Sequence, residues 1–505
     1  MLLTAIFVIP LLGALLTLLI PSDLRVLHRG IAILATGCSA VLSLFLLFGF
    51  QSGVDGFQFV TKVAWVPSIG LNYHVGVDGI NLGLVVMAAW VAFAATLLSH
   101  EIRAKEKLYY SLLQMMCGGI IGAFASLDVV FFYAMHELAL IPTFIMIGVW
   151  GRGERKAFAA YQMAIYLSLG AMLVLAGIIC LYVGAGAKTF DMTELAAILA
   201  AKPMALSMQK WLIPLLVVGF GILVGLVPFH SWAPAAYSAA PTAVAMLHAG
   251  VLKKFGLYGI LRLVLPMMPD ELRPWMEVLV VMALINALYC GLIAIRQRCF
   301  AQMISYSSLS HVGFIFLGLA VLTQIGLSGA VFLMVAHGFL AALLFGLNGW
   351  LYNNVQTTDM DKISGLLQKV PFIGFVMAVT LLAGCGLPFF GNFWGELMVL
   401  VGTWQSGEHW IVAFAVFTAL IVSGVYMLRT IRGVLHGESS AVLEKVRDAG
   451  NLWRRLPYVL LVVGLLAIGV YPMLLTRDMR GAVETTLQPV NTAADNVSCE
   501  ELDEN

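Results

Sequence analysis

Two adjacent lysines, Lys253 and Lys254, stand near the middle of an apolar segment that runs from Ala243 to Arg262. A helix of about 20 residues spans about 30 Å, the thickness of a bilayer's hydrocarbon core. A charge at that depth costs roughly 2.5–3.5 kcal/mol on insertion scales, so such a side chain faces a protein interior or a water-filled path. The chain repeats the device. Glu137 lies in the segment Phe131–Pro142, His311 in Ser305–Gly313 and His337 in Val335–Phe339, and Glu396 follows Gly391-Asn-Phe-Trp-Gly395. Carboxyl, ammonium and imidazole groups all exchange protons, and histidine does so near neutral pH, which suits it to relay between an acid and a lysine. The chemistry such a set supports is movement of a proton or another cation across a membrane.

Each residue also has a plainer reading. Glu137 is either a titrating group or a permanently protonated carboxyl that holds helices together. Successive residues on a helix differ by about 100°, so Lys253 and Lys254 are not expected to share one face. One lines the path while the other packs against a neighbour or snorkels. His248, on the same segment, is either an accessory proton carrier or a packing group. His230, beside Pro228, either lines a cavity or caps freed backbone. Asp78 and Asp128 lie near segment ends and are expected to be structural, and Glu277 to be interfacial. His311 and His337 have serines around them but no cysteine or carboxylate at ligand spacing, which argues against a metal site. The seven cysteines (38, 117, 180, 290, 299, 385, 499) are scattered, and no Cys-x-x-Cys supports zinc or iron–sulfur ligation. No P-loop or strand-borne Gly-x-Gly-x-x-Gly occurs. No redox or cofactor-binding residue is therefore expected in this chain.

The elements that carry these residues read as membrane spans. Of 505 residues 61% are hydrophobic and 11% charged, against about 25% charged in a soluble domain, and mean hydropathy is +0.96. A net charge of +1 gives no sign of nucleic acid as a partner. The expected fold class is all-α integral membrane with about fourteen transmembrane helices. They lie near 2–20, 30–50, 80–99, 110–126, 128–149, 160–183, 211–237, 242–264, 275–295, 301–322, 326–350, 370–402, 409–430 and 456–475. The first lacks a basic start and a small-residue cleavage site, so it reads as a retained helix rather than a signal peptide. The longest connections are 51–79, 184–210 and 431–455, and the polar tail from about 484 is expected to be disordered.

Loops after odd-numbered spans hold 18 of the 28 Lys and Arg, whereas loops after even-numbered spans and the C-terminal tail hold 8. The positive-inside bias puts both termini on the periplasmic side of a bacterial inner membrane. Spans seven and twelve are interrupted, at Val227-Pro228-Phe-His-Ser-Trp-Ala-Pro234 and at Gly384-Cys-Gly-Leu-Pro388-Phe-Phe-Gly391-Asn-Phe-Trp-Gly395. Proline removes a backbone donor and clashes with the preceding turn, and in lipid a broken helix belongs beside a cavity. The breaks are five spans apart, the spacing that two inverted five-helix repeats produce. The expected organisation is then 1–110 for helices 1–3, 111–264 for a first repeat (helices 4–8), 265–435 for a second (helices 9–13), and 436–505 for helix 14 and the polar tail.

Taken in order, these residues resemble the antiporter-like membrane subunits of respiratory complex I, and within them the M-type (NADH-quinone oxidoreductase subunit M, mitochondrial subunit-4 type). The stretches that carry the resemblance are His136-Glu137…Pro142, Val227-Pro-Phe-His-Ser-Trp-Ala-Pro…Pro241-Thr, and His248-Ala-Gly-Val-Leu-Lys-Lys-Phe-Gly-Leu-Tyr-Gly-Ile-Leu-Arg262. They continue with Tyr306-Ser-Ser-Leu-Ser-His-Val-Gly-Phe314, Ala336-His-Gly and Gly386-Leu-Pro-Phe-Phe-Gly-Asn-Phe-Trp-Gly-Glu396, and so cover spans five to twelve. By resemblance, Glu137 corresponds to the family's fifth-helix glutamate, Lys254 to its eighth-helix lysine, His311 and His337 to its relay histidines, and Glu396 to its terminal acid. Glutamate in the twelfth span favours the M-type, and the chain is too short for the long lateral helix of the L-type. One departure stands out. The family's seventh-helix lysine, partner of the glutamate, falls on Leu223, and the aspartate that usually follows Trp-x-Pro falls on Ala235. Either Lys253, His248 or His230 substitutes for that lysine, or pumping is altered or absent.

The resemblance implies a proton-translocating membrane-arm subunit of a complex I-type NADH-quinone oxidoreductase. NADH, FMN, iron–sulfur clusters and quinone would then belong to partner subunits, and L-type and N-type subunits would be its membrane neighbours. The alternatives are a subunit of a multisubunit Na⁺/H⁺ antiporter or a membrane-bound hydrogenase, and a structural complex I-like subunit that has lost pumping.

Overall fold

In lipid, every backbone donor and acceptor must find its partner within the protein, so a single apolar run is driven to helix. The chain follows that rule in a computed structural model that describes residues 1–503 apart from 55 and 408, with side chains except at 419, 420 and from 494 onward. The first helices are α1 Leu2–Leu19, α2 Arg25–Gly49, α3 Leu82–Leu98, α4 Glu106–Ala125, α5 Val129–Trp150, α6 Lys156–Gly184, α7 Met192–Ala201, α8 Leu206–Val224 and α9 Trp232–Ala239. Next come α10 Thr242–Leu247 and α11 Lys254–Gly259, which π turns at His248–Leu252 and Ile260–Val264 complete into one span, Thr242–Val264. Then follow α12 Leu272–Arg296, α13 Phe300–Ala320, α14 Gln324–Val355, α15 Leu366–Lys369, α16 Pro371–Gly384, α17 Gly391–Gln405, α18 His409–Val416, α19 Ser423–Thr430, α20 Leu452–Val470 and α21 Met473–Asp503.

Among the described residues, twelve helices are long and apolar enough to cross a membrane. The interrupted pair α16–α17 and the segmented pair α18–α19 lie where spans twelve and thirteen are expected. The span Thr242–Val264 and the apolar part of α14 are buried all round, and α13 is nearly so. These form the centre of the bundle, and they carry Lys253, Lys254, His311 and His337.

The connections sort onto two ends. At one end the segments after even-numbered spans meet: Phe190 N donates to Gly70 O, Lys62 pairs with Asp191, Arg262 with Asp78 and Lys210 with Glu271. At the other end Glu101, Arg152, Thr242 and Asn353 cluster, and Met360 N donates to Arg298 O. The alternation read from the Lys and Arg pattern is therefore present in the contacts.

Two of the long connections carry structure of their own, and one expectation, the disordered tail, is corrected. The connection 51–79 contains an antiparallel hairpin of β1 Gln58–Val66 and β2 Leu71–Val77. Val60, Thr61, Val63, Trp65, Tyr73 and Val75 suit a pleated surface. Gly70 turns it at φ +72°, where a β-carbon would stand 1.9 Å from Lys188 O. The connection 184–210 contains α7, capped by Asp191. The polar tail is helical through Asp503 rather than disordered. Leu475, Met479, Val483, Leu487 and Val490 are buried at near-helical spacing, and such a stripe gives a polar segment a face to pack.

Asp191 ties the hairpin to α7. Its buried carboxylate takes Lys62 Nζ at 2.7 Å and His74 Nδ1 at 2.6 Å, and caps Thr193 N at 3.0 Å. Burial pushes its pKa up, but the hydrogen bonds from His74, Lys62 and Thr193 outweigh burial and hold it below the usual carboxylate range. Lys62 moves the other way for the same reason: burial lowers it, and the two acids Asp191 and Glu194 raise it more.

Candidate functional site

The lysine span is pinned at its start. Glu101 accepts from Thr242 N at 2.9 Å, Thr242 Oγ1 at 2.9 Å and Arg152 Nη2 at 2.7 Å, and also from Asn353. A carboxylate at a helix N-terminus satisfies donors that the helix itself cannot. Further along, Gly250 lies back to back with Gly338 of α14: a β-carbon at 250 would stand 3.0 Å from Gly338 O. That close approach lets side chains one turn on reach α14. The π turn His248–Leu252 falls just before the lysines, and such turns occur often at functional positions.

Both lysines are buried, at 1% and 0% exposure, and they converge on one histidine. Lys254 Nζ donates to Ala249 O at 2.9 Å and lies 3.0 Å from His337 Nδ1. His337 Nε2 lies 3.2 Å from Ser308 Oγ, and Ser308 Oγ is in close contact with Lys253 Nζ. The expectation that one lysine alone faces the path is corrected. Angular separation on the helix is real, but two four-carbon stems directly after the π turn span it. Beyond His337, the His311 ring centroid lies 5.8 Å away. His311 Nδ1 donates to Ser307 O at 2.8 Å, and Nε2 lies 3.6 Å from Glu396 Oε1. Glu396 lies on α17, and its carboxylate reaches back to the turn between α16 and α17. Gly386 adopts φ +69° there, and a β-carbon on it would stand 2.6 Å from Glu396 Oε2. Lys254, Lys253, His337, His311 and Glu396 thus form one buried line across the centre of the bundle.

Glu137 is not on that line. Its side chain is 28% exposed on the flank of α5, and its ion-pair partner is the neighbouring His136, 3.4 Å away. The His136 ring in turn stacks on Phe255 at 3.8 Å. Leu223 is buried on α8 beside α6. None of the three proposed substitutes reaches Glu137. Lys253 turns toward Ser308, His248 stacks on Trp232 at 5.3 Å, and His230 packs edge-on to Tyr289 at 5.3 Å. Among the described residues, His230 Nδ1 and His248 Nδ1 have no hydrogen-bond partner.

Sequence reasoning missed Ser308 and Asn286. Ser308 lies one turn before His311, a spacing that puts both on one face, and that was the available signal. Asn286 holds the bend after α8: its Oδ1 accepts from Val227 N at 3.0 Å and its Nδ2 donates to Leu309 O at 2.7 Å. Asp78 and Asp128 are both engaged in contacts that hold the fold. Asp78 pairs with Arg262 at 2.5 Å, and Asp128 caps α5 through Val130 N and Phe131 N. Among the described residues, no group of three His, Cys, Asp or Glu side chains is placed to hold a metal ion.

A family described as NADH:quinone oxidoreductase/Mrp antiporter, TM, matches residues 126–422, which include Glu137 and the whole buried line. The chain belongs to that family. Chain 4 1 of the NAD(P)H-quinone oxidoreductase of a Picosynechococcus species is 33% identical, with 94% of this chain and 89% of that one aligned. NADH-quinone oxidoreductase subunit M of Rickettsia prowazekii is 32% identical over 83% of this chain and 84% of its own length. These names agree with the M-type resemblance. In solved structures, a chain of respiratory complex I from Thermus thermophilus superposes with a TM-score of 0.88 at 26% identity, covering 97% of this chain and 100% of that one. A chain of the Mrp complex from Dietzia sp. superposes with a TM-score of 0.84 at 20% identity, over 97% and 98% of the two chains, and so shares the fold.

Proposed function

We infer that the protein is a proton-translocating membrane-arm subunit of a complex I-type NADH-quinone oxidoreductase. The observation that carries this reading is the buried line Lys254–His337–His311–Glu396 inside the fold of that family. Buried ionisable groups without function are rare in membrane cores, and here they stand within one or two hydrogen bonds of each other. Redox energy released in partner subunits, which would hold NADH, FMN, iron–sulfur clusters and quinone, shifts charge along this line. Both ring nitrogens of His337 are engaged, so passage to His311 requires a bridging water or a ring turn. The bends after α8 and α16 supply access. Near the first, His230 Nδ1, Tyr237 OH, Ser238 Oγ and His248 Nδ1 are buried polar atoms without protein partners, as solvated surroundings allow.

In this reading, spans 4–8 and 9–13 are the inverted repeats, the span count is fourteen, and both termini face the periplasm of a bacterial inner membrane. L-type and N-type subunits flank the chain, and one of them covers the exposed flank at Glu137. The decisive test is Lys254→Met in the assembled complex, reconstituted in proteoliposomes. Proton uptake per electron should fall while subunit content stays constant, and unchanged uptake would sink the proposal. A second reading, altered pumping in the first half of the subunit, is favoured by Leu223 and by the isolation of Glu137 from any lysine. Glu137→Gln separates the two readings, because full coupled transport in that variant supports the second.

A further inference from the structure

Lys253 is a buried cation that the route from Lys254 to Glu396 does not need, and among the described residues it has no carboxylate in ion-pair range. Its partner is Ser308. Nearby hydroxyls are committed elsewhere: Ser305 Oγ donates to Ala301 O at 2.6 Å, Ser307 Oγ to Tyr426 OH at 3.1 Å and Ser310 Oγ to Ala287 O at 2.7 Å. Among the described residues, the Ser308 hydroxyl has only the lysine and the histidine. Its hydroxyl stands between Lys253 Nζ and His337 Nε2, the latter at 3.2 Å, while Lys254 Nζ stands 3.0 Å from the other ring nitrogen.

The geometry points to Ser308 and Lys253 as a second arm of the proton route, in which Lys254, His337, Ser308 and Lys253 form one hydrogen-bond chain that moves a single positive charge between the two lysines. This rests on the proton-translocating reading above. Four groups carrying one charge can be fully satisfied in two ways. In the first, the Lys254 ammonium donates to His337 Nδ1, His337 Nε2–H donates to Ser308 Oγ, and Ser308 O–H donates to the neutral amine of Lys253. In the second, every bond reverses. The change breaks three bonds to hydrogen, at Lys254 Nζ, His337 Nε2 and Ser308 Oγ. It makes three, at His337 Nδ1, Ser308 Oγ and Lys253 Nζ. Charge and proton number are conserved, no electrons are exchanged, and the neutral imidazole only changes tautomer. Two ammonium groups bracketing one buried ring would repel with no carboxylate to offset them, so one charge is the state the interior favours.

The arm ends beside the broken seventh span. Lys253 Nζ lies 5.8 Å from the centre of the Tyr237 ring on α9, within cation–π range. A charge on Lys253 therefore sits near Tyr237 of α9, and a charge on Lys254 sits beside His337 Nδ1. Lys253 does not replace a cation beside Glu137. It gives the central charge a second resting place.

The test uses the assembled complex in proteoliposomes, reading redox-driven proton uptake against electron transfer. Ser308→Ala keeps both lysines and cuts the chain, so uptake per electron should fall several-fold at unchanged subunit content. Ser308→Thr restores the hydroxyl and should recover most of it, which a purely packing role would not require. Lys253→Met should match Ser308→Ala, and the double variant should be no worse than the worse single. The arm is overturned if Ser308→Ala pumps normally, if Thr is as poor as Ala, or if the two losses multiply. Lys254→Met distinguishes the levels. If it blocks uptake while Ser308→Ala and Lys253→Met do not, only the arm fails; if it too pumps normally, the proton-translocating reading fails with it.

Discussion

Glu396 offers a quantitative test of the line's far end. Its carboxylate lies 3.6 Å from His311 Nε2, and both side chains are buried. At that separation and an effective dielectric constant of about 20, Coulomb's law gives about 4–5 kcal/mol between a carboxylate and an imidazolium. That is about three orders of magnitude in the population of a proton resting on His311. Glu396→Gln keeps shape and hydrogen bonding but removes the charge. If the proton must occupy His311 on its way out, coupled uptake should fall by a hundredfold or more. Glu396→Asp withdraws the carboxylate by about 1.5 Å, which leaves about 3 kcal/mol and predicts a loss of only about tenfold. The assay is redox-driven acidification or alkalinisation of proteoliposomes carrying the assembled complex, followed with a pH dye, with electron transfer measured in uncoupler to confirm intact assembly. The order Glu, Asp, Gln is the signature. A glutamine variant within twofold of wild type, or aspartate and glutamine variants of equal activity, would refute the electrostatic argument.

Three further outcomes follow from the contacts. Leu223→Lys places a cation on α8 among apolar neighbours; if the first half of the subunit is silent for want of that charge, this variant should raise proton uptake, and Glu137→Gln should abolish the gain. Asp191→Asn should loosen α7 from the hairpin by about 2–3 kcal/mol, the worth of hydrogen bonds to a charged group, with little from half-exposed Lys62. Because the Asp191 pKa is lowered in the fold, its contribution is complete above the unfolded value of about 3.9 and is lost as pH falls through the lower folded value. Protease cleavage in 184–210 should therefore differ between variant and wild type at pH 7, and the difference should shrink below about pH 4. Arg262→Met leaves Asp78 buried and unpaired, which costs about 3–5 kcal/mol. Thermal unfolding in detergent should show that loss, and the double variant with Asp78→Asn should regain most of it.

Much of the architecture was legible because a membrane imposes hard constraints on sequence. Continuous apolar runs had to be helices, and Pro228, Gly386 and Pro388 lie in the two breaks. The rarity of charge in lipid singled out Lys254, His311, His337 and Glu396, which the fold does bring together. Other features were hidden for physical reasons. Hydropathy reports that a segment prefers to be out of water, not which segment it meets. Ser308 looked like one serine among several until α13 and α14 placed its hydroxyl between His337 and Lys253. The stripe from Leu475 to Val490 was masked by the polar residues between its members. The hairpin was masked because hydropathy picks out runs long enough to span a membrane, and strands of nine and seven residues fall below that length.

By itself, then, the sequence determined the class of molecule, the alternation of its loops between two faces, the two broken spans and the kinds of group able to carry a proton. Those follow from composition and local spacing, which act along the chain. Only the tertiary structure decided that both lysines address one histidine, that Glu137 lies on the outer flank beside His136, and that Lys253, His248 and His230 make their contacts elsewhere. Those depend on how closely neighbouring helices approach, as Gly250 and Gly338 do, and on where long side chains reach once they are packed.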